Sequence, residues 1–370
     1  VRDGTTTELA FDALIIASGA TDRLMPVKGW NRAGVFSLGG AQVALKSQAC
    51  AIGRRVVFLG TGPLLYLVAT QYHKAGSDVA AVLDTSPFSL RLRALPKLVA
   101  QPKTLAKGIA LTGALLRAGV KVRTGVTPLE IEGTHEAGVE AVRYSDSNGR
   151  SERISCDAVG LGYHLRPESQ LADLARCQFR YDQETRQFFP VTDQDGRATV
   201  PGVYLAGDGV MPLGADAAEC AGRLAALAVL EDAGHKVDPT KQNALRRALK
   251  AMDRFRRGLI EAYPWPAHLA ASLDDDIVVC RCENITVGEL RDAVDAKGGV
   301  EVNRAKAFSR VGMGRCQGRY CGQAAAEIIA AASGLPLEAV SYTHLTLPTT
   351  WSRCRAGGGG ERGGGGGGGG

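Results

Sequence analysis

The chain has 370 residues, 45% of them hydrophobic and 22% charged, the composition of a globular protein long enough for two or three domains with cores of their own. No run approaches the roughly 18 apolar residues of a membrane span, which excludes an integral membrane protein, and no secretory signal opens the chain. The formal charge of +6 falls to +4 when Arg353, Arg355, Glu361 and Arg362 of the last stretch are set aside, too little and too dispersed to argue for nucleic acid.

The chain starts at Val1 in mid-pattern, so a preceding N-terminal part is expected. An apolar run, Phe11 to Ala17, leads into Ser18-Gly19-Ala20. Arg54 to Leu59 reads as a strand, followed by Gly60-Thr61-Gly62-Pro63-Leu64-Leu65 and a helix to Ala75. Ala80 to Leu83 is the next strand, and 119–160 reads as strands joined by turns, with Ser145 to Arg150 marking a hairpin. Strands alternating with helices imply an α/β sheet. Residues 239–260 read as a helix with Leu245, Leu249, Met252 and Leu259 on one face and Arg246, Arg247, Lys250, Arg254 and Arg257 elsewhere. That charged face is either solvated or docks a partner. Pro264 and Pro266 end the pattern, and a small cysteine-bearing domain runs to about Val340. Residues 341–370 end in glycine without side chains to bury and are expected to lie outside the fold, as a disordered tail or a cloning read-through.

Two segments carry nucleotide signals. Gly60 and Gly62 stand between a strand and a helix, where a dinucleotide fingerprint needs one glycine for the turn and one for close approach of a pyrophosphate to the helix N-terminus. Asp84 ends the second strand, where a ribose-binding acid belongs. Leu65 replaces the third glycine and Pro63 removes an amide, so the unit is read as binding NAD(P), another nucleotide, or nothing. Further on, the apolar stretch Val203 to Ala206 delivers Asp208, with Gly207 and Gly209 freeing the backbone on either side.

Of nine cysteines, Cys50, Cys156, Cys177, Cys220 and Cys354 are scattered, and Cys280, Cys282, Cys316 and Cys321 form two closely spaced pairs. This is no disulfide framework; it reads as a metal centre in a reducing compartment. The spacing suits a [2Fe–2S] cluster better than zinc, though a structural zinc site remains the alternative. Gly312, Gly314, Gly318 and Gly322 free the backbone around the cysteines, and Arg281, Arg315 and Arg319 bring positive charge. Cys321 precedes an alanine-rich helix, Gln323 to Ala332, whose N-terminus favours thiolate.

Phe11 to Ala20 and Thr199 to Val210 resemble the two FAD segments of glutathione-reductase-like flavoproteins. The resemblance implies flavin contacts at Gly19, Gly207 and Asp208, the aspartate meeting ribityl hydroxyls, with a first FAD fingerprint expected before Val1. Cys280 to Thr286 and Gly312 to Gly322 resemble the bacterioferritin-associated-ferredoxin type of [2Fe–2S] domain at the C-terminus of opine oxidase A and hydrogen cyanide synthase B subunits, a resemblance extending over residues 5–340. It departs at Leu65 and at His164, where glycine is expected; His164 reads as a packed or surface histidine.

The expected architecture is therefore α/β: a two-dinucleotide-binding-domain flavoprotein with its first FAD segment missing, plus a small α-rich [2Fe–2S] domain. The expected parts are 1–30 (end of the first FAD segment), 31–160 (NAD(P)-like insert), 161–235 (second FAD segment), 236–275 (helical linker), 276–340 (cluster domain) and 341–370 (tail). The resemblance implies a bacterial electron-transferring subunit, cytoplasmic or resting on the inner face of the membrane. Its partner, a second FAD-dependent subunit, oxidises a C–N bond of an opine, amino acid or amine. No Cys-x-x-Cys lies in the insert, which argues against a thioredoxin-reductase type. An NAD(P)H-dependent flavin and iron–sulfur reductase and a non-catalytic iron–sulfur or zinc module are the alternatives.

Overall fold

The computed structural model describes residue 8 and residues 10–134 and 136–341. The expected tail, from residue 342 on, and residues 1–7 lie outside the described residues.

The chain enters through β1 (Leu14–Ile16) and turns at Ser18-Gly19 into β2 (Ala20–Asp22). It then builds a unit from β3 (Val35–Ser37), α1 (Leu38–Gln48), β4 (Arg55–Thr61), α2 (Pro63–Lys74) and β5 (Asp78–Asp84). α3 (Phe88–Leu98), α4 (Pro102–Arg117) and β6 (Lys121–Thr124) follow. β7 (Thr127–Thr134), β8 (Gly138–Ser145), β9 (Ser151–Ser155) and β10 (Ala158–Tyr163) complete it. Five parallel strands run in the order β3-β10-β4-β5-β6, and β7-β8-β9 form an antiparallel sheet over one face.

Both faces of the parallel sheet are covered, so Val56 to Thr61 and all of β10 are buried in unbroken runs. The period of two divides them. Val57, Leu59, Ala81, Leu83 and Leu161 pack towards Val142 and Tyr144 of the antiparallel sheet. Val56, Phe58 and Val82 face Leu65, Val68 and Tyr72 of α2 and Leu115 of α4. The β8–β9 hairpin falls at the Ser145–Arg150 turn, where Asp146 Oδ1 accepts the amides of Asn148 and Arg150 at 2.9 and 2.8 Å.

The chain leaves this unit through β11 (Leu165–Pro167), antiparallel to β2, so the outgoing and returning crossings are hydrogen-bonded to each other. After α5 (Gln170–Leu174), β12 (Phe179–Asp182) and β13 (Gln187–Pro190) comes β14 (Val203–Leu205), which pairs in parallel with β1. The segment that departs at Ile16 is thus rejoined at Leu205, and the intervening unit is an insert.

α6 (Ala215–Asp232) and α7 (Pro239–Ala262) follow. Asp238 caps α7 by accepting the Thr240 amide, and Pro239 at the first turn has no amide to waste. α7 crosses α3 at Gly258, where a β-carbon would lie 3.0 Å from Leu98 Cδ2 and Lys97 Cβ. It stops at Tyr263 because Pro264 cannot continue a helix. A 3-10 turn (Ala267–Ser272) leads to β15 (Val278–Cys280), β16 (Ile285–Thr286) and α8 (Val287–Asp295), the last held by a reciprocal Thr286–Glu289 cap. α9 (Val302–Ser309), α10 (Gly322–Ser333) and α11 (Leu337–Val340) complete this part. Its core is continuous with that of the insert: Val279, Leu290 and Ile328 belong to one buried cluster with Trp265, Leu59 and Leu161.

Candidate cofactor sites

The β14–α6 connection carries Gly207, Asp208 and Gly209. Gly207 has φ +71, and a β-carbon on it would meet Ala218 of α6 at 3.2 Å. A β-carbon on Gly209 would lie 2.7 Å from Ser18 Oγ and 3.3 Å from the Gly19 nitrogen, so this loop is pressed against the turn after β1. Gly19 itself has φ +76 and faces open space, as does Gly214 at the start of α6. Asp208 Oδ1 accepts the Leu213 and Gly214 amides at 2.9 and 3.0 Å, which aims the carboxylate at the N-terminus of α6. A cavity of about 930 Å³ opens beside Gly207; Leu205, Met211 and Leu224 form its apolar part, and charged groups such as Arg180, Asp195 and Arg247 line most of the rest. The open backbone at Gly19, the close-packed turn at Gly207 and one carboxylate fixed at a helix N-terminus fit a flavin nucleotide; Asp208 would hold its polyol and Gly19 and Gly207 would admit it.

The fingerprint glycines serve the fold differently. Gly60 has φ +140, and a β-carbon there would lie 1.8 Å from the Gly162 carbonyl oxygen on β10. Above Gly62, His164 Nδ1 lies 3.3 Å from the place of a β-carbon. Asp84 is 0% exposed. Its Oδ1 accepts from Thr61 Oγ1 at 2.7 Å and the Ser86 amide at 2.8 Å. Its Oδ2 accepts from Tyr66 Oη at 2.8 Å and Arg91 at 2.7 Å. Burial pushes this carboxyl upward, and Arg91 with the surrounding donors opposes the rise. As folded, these residues do not fit a nicotinamide nucleotide, because every oxygen meant for a ribose is already engaged inside the protein.

The four clustered cysteines converge. Cys280 ends β15 and Cys321 precedes α10, both buried; Cys316 is half-buried and Cys282 exposed. A β-carbon on Gly314 would lie 2.2 Å from Cys282 Cβ, so only glycine lets the two loops meet. The thiols are linked in sequence, Cys282 to Cys316, Cys316 to Cys321 and Cys321 to Cys280. Hydrogen bonding from Cys321, then amides of Gly312, Glu283 and Cys282 working against burial, pulls Cys280 down to about 6. Cys321 also pulls Cys316 down, aided by the Tyr320 and Gly318 amides, and its own thiol is raised by the nearness of Cys280 and Cys316 and by burial. Among the described residues no group of three or more His, Cys, Asp or Glu side chains is drawn close enough to hold one metal ion as the protein stands. A pairwise chain of thiols ringed by amides fits a two-iron cluster, in which each iron takes two thiolates.

Of the three arginines expected here, Arg281 lies 5.2 Å over the Trp30 ring, Arg319 pairs with Glu168 at 2.9 Å, and Arg315 faces solvent. Arg281 also feels the charge of Cys282, as expected, and two further cations in the field of the thiols are ones sequence reasoning missed. Arg166 feels Cys321 and Cys316, and Lys306, 1% exposed, feels Cys321. Arg166 lies far from the cysteines in sequence, Lys306 lies between the two cysteine pairs, and no local motif marks either.

Segment 165–170 joins the two sites. On one side the Glu168 amide donates to the Gly19 carbonyl at 2.9 Å, and the Ser18 hydroxyl donates to the Glu168 carbonyl. On the other, Arg166 donates to the Gly318 and Arg319 carbonyls at 3.4 and 3.2 Å, and Gln170 to the Gln317 carbonyl at 3.3 Å.

Fold and sites together define a redox protein with a nucleotide-binding frame, an inserted second unit and a C-terminal cluster domain. The chain belongs to the pyridine nucleotide-disulphide oxidoreductase family, whose sequence profile matches residues 1–234. A second profile, the BFD-like [2Fe-2S] binding domain, matches residues 278–331. The first family implies FAD and NAD(P) binding, the second a [2Fe–2S] cluster. The chain is 40% identical over 335 residues to the opine oxidase A subunit of Agrobacterium tumefaciens, covering 89% of this chain and 65% of that protein. It is 31% identical over 325 residues to the hydrogen cyanide synthase HcnB protein of Pseudomonas aeruginosa, covering 85% of this chain and 69% of that one. It therefore spans just under two thirds of the length of the opine oxidase relative. L-proline dehydrogenase from P. horikoshii has the same fold over 90% of this chain and 57% of its own, with a TM-score of 0.57 and 18% identity.

Proposed function

We propose that this chain is the electron-transferring FAD and [2Fe–2S] part of a heteromeric oxidoreductase that oxidises a C–N bond of an opine, an amino acid or an amine. Its parts are flavin segments at 1–30 and 161–235, an NAD(P)-like insert at 31–160, a helical linker at 236–275 and a cluster domain at 276–340. The observation that carries the reading is the single segment 165–170 that touches the Gly19 turn on one side and the cysteine loop on the other. Two redox sites built onto the two sides of one segment make an electron path, and relatives named as oxidase and synthase subunits suit a chain that works beside another.

When bound, FAD exchanges electrons in pairs and the cluster singly, which converts a two-electron oxidation into one-electron steps. The protein's own part is to hold these groups. Asp208 would hold the flavin's polyol, and Gly19 and Gly207 would admit it. Cys280, Cys282, Cys316 and Cys321 would ligate the irons, and Arg166, Lys306 and Arg281 would offset the negative charge of the thiolates. Gly60, Gly62 and Asp84 mark the nucleotide crevice of the insert. The second FAD-dependent subunit carries the C–N oxidation. Among the described residues no helix is long and apolar enough to cross a membrane.

The test is co-expression of the full-length protein with the FAD-dependent oxidase or dehydrogenase encoded beside it. The expected result is a complex that co-purifies and oxidises opines or amino acids with an artificial acceptor, while this chain alone does not. Turnover by this chain alone, or no complex at low salt, overturns the reading. Iron, sulfide and zinc analysis of the purified protein separates it from a zinc-stabilised module.

A further inference from the structure

We infer that residues 263–266 act as a strap that closes the nucleotide crevice of the insert, so that the folded protein admits NAD(P)H only when the strap lifts. The crevice of such a unit lies at the C-terminal ends of its parallel strands, above the glycines that start the first helix. In this chain that place is filled from outside the insert. α7 ends at Tyr263, and the Tyr263 carbonyl accepts a hydrogen bond from His164 Nε2 directly above Gly62. The Tyr263 ring lies 6.2 Å from His164 and 6.5 Å from Tyr66, centroid to centroid, and Arg91 sits 5.0 Å over it. Arg91 and Tyr66 are the two groups that hold Asp84 Oδ2. The four side chains therefore form one stack running from the helix N-terminus, where a pyrophosphate would dock, to the acid where a ribose would dock.

The strap is pinned beyond Tyr263 as well. Trp265 packs edge-on against Tyr163 at 5.9 Å and beneath the guanidinium of Arg23 at 3.8 Å. Its indole Nε1 donates to Glu327 Oε1 at 2.9 Å. Glu327 lies on α10, the helix that starts next to Cys321. The strap thus ties the insert's crevice to the cluster domain, and Pro264 and Pro266 on either side of Trp265 stiffen it. A nucleotide arriving at the crevice has to displace Tyr263 and His164 and draw Arg91 or Tyr66 off Asp84. Its apparent affinity is lowered by the fraction of molecules in which the strap is open.

The test is an equilibrium titration of the full-length purified protein with NADH and with NADPH, followed by nicotinamide fluorescence. It reads binding and not turnover, so its failure is independent of the C–N oxidoreductase reading. The wild type is expected to show no saturable binding at millimolar nucleotide. Tyr263→Ala, and the milder Tyr263→Leu, are expected to bind at least about tenfold more tightly, as a strap of modest closing energy requires. Retained visible absorbance and an unchanged far-ultraviolet spectrum show that a variant is folded. Micromolar binding by the wild type overturns the proposal without recourse to any variant. Folded Tyr263 variants that bind no better than wild type also overturn it, because the crevice is then lost and not covered.

Discussion

His164 is a residue whose surroundings decide its charge. Burial, with the positive charge of Arg23 adding to it and the Tyr263 carbonyl opposing, pushes its pKa from 6.5 down to about 4. The folded protein then binds fewer protons than the unfolded chain between those values. The stability of the neutral form is complete above pH 6.5 and lost as pH falls through 4, at most about 3 kcal/mol. His164→Gln keeps an N–H for Tyr263 without a titrating group. Its melting temperature is expected to fall less steeply than that of the wild type between pH 6.5 and 4; parallel curves would show that His164 stays solvated. Gly60 is a second such residue. Gly60→Ala places a β-carbon 1.8 Å from the Gly162 carbonyl at a φ of +140, and is expected to cost more than about 3 kcal/mol in denaturant unfolding. At the cysteines, Cys316→Ser replaces a soft thiolate by a hard hydroxyl and is expected to bleach the visible spectrum and cut iron content. Stoichiometric zinc without iron, after anaerobic reconstitution of the wild type, would contradict the cluster.

At the scale of elements, the helices over 63–74, 239–262 and 322–333 were legible because apolar periodicity, proline and glycine mark where a helix runs and stops. The fate of a helix's charged face was not legible. On α7, Arg246 pairs with Asp195 at 2.6 Å and Arg256 is buried against Asp253, whereas Arg247 and Lys250 remain exposed. Asp195 comes from a turn 51 residues away, and no periodicity within α7 records it. Two elements make separate predictions. Asp208 fixes the start of α6 and is the proposed partner of the flavin's polyol, so Asp208→Ala is expected to weaken FAD binding by the full-length protein by about 1–3 kcal/mol, measured as flavin retained on dilution. Asp208→Asn, which keeps one acceptor oxygen for the α6 amides, separates folding from flavin contact. On α10, Glu327 accepts from Arg186 at 2.9 and 2.6 Å and from Trp265 at 2.9 Å. Glu327→Ala is expected to cost about 2 kcal/mol by denaturant titration, less than a wholly buried pair because Arg186 is 37% exposed.

Over the whole molecule, the continuous buried cluster that runs from Leu59 and Leu161 through Trp265 to Val279 and Ile328 predicts joint unfolding of the insert and the cluster domain. Loss of visible absorbance and loss of far-ultraviolet ellipticity are expected at one temperature; a cluster that melts well before the helices would refute a shared core. The sequence alone determined the kinds of chemistry present: a glycine-rich turn after an apolar strand, a carboxylate between glycines, and two cysteine pairs before an alanine-rich helix. These are legible because local spacing dictates backbone geometry and the face a residue presents. Only the tertiary structure decided which of these groups stand open. Asp84 sits where a ribose-binding acid belongs in the chain, yet Thr61, Tyr66, Ser86 and Arg91 fill its hydrogen bonds, and His164 and Tyr263 cover Gly62. Arg166 and Lys306 reach the thiols from elements with no motif of their own. The reason is physical: what occupies the space in front of a side chain is set by tertiary packing, which brings in residues from a few positions away, as at Asp84, to 153 positions away, as with Arg166 and Arg319, and spacing along the chain does not record it.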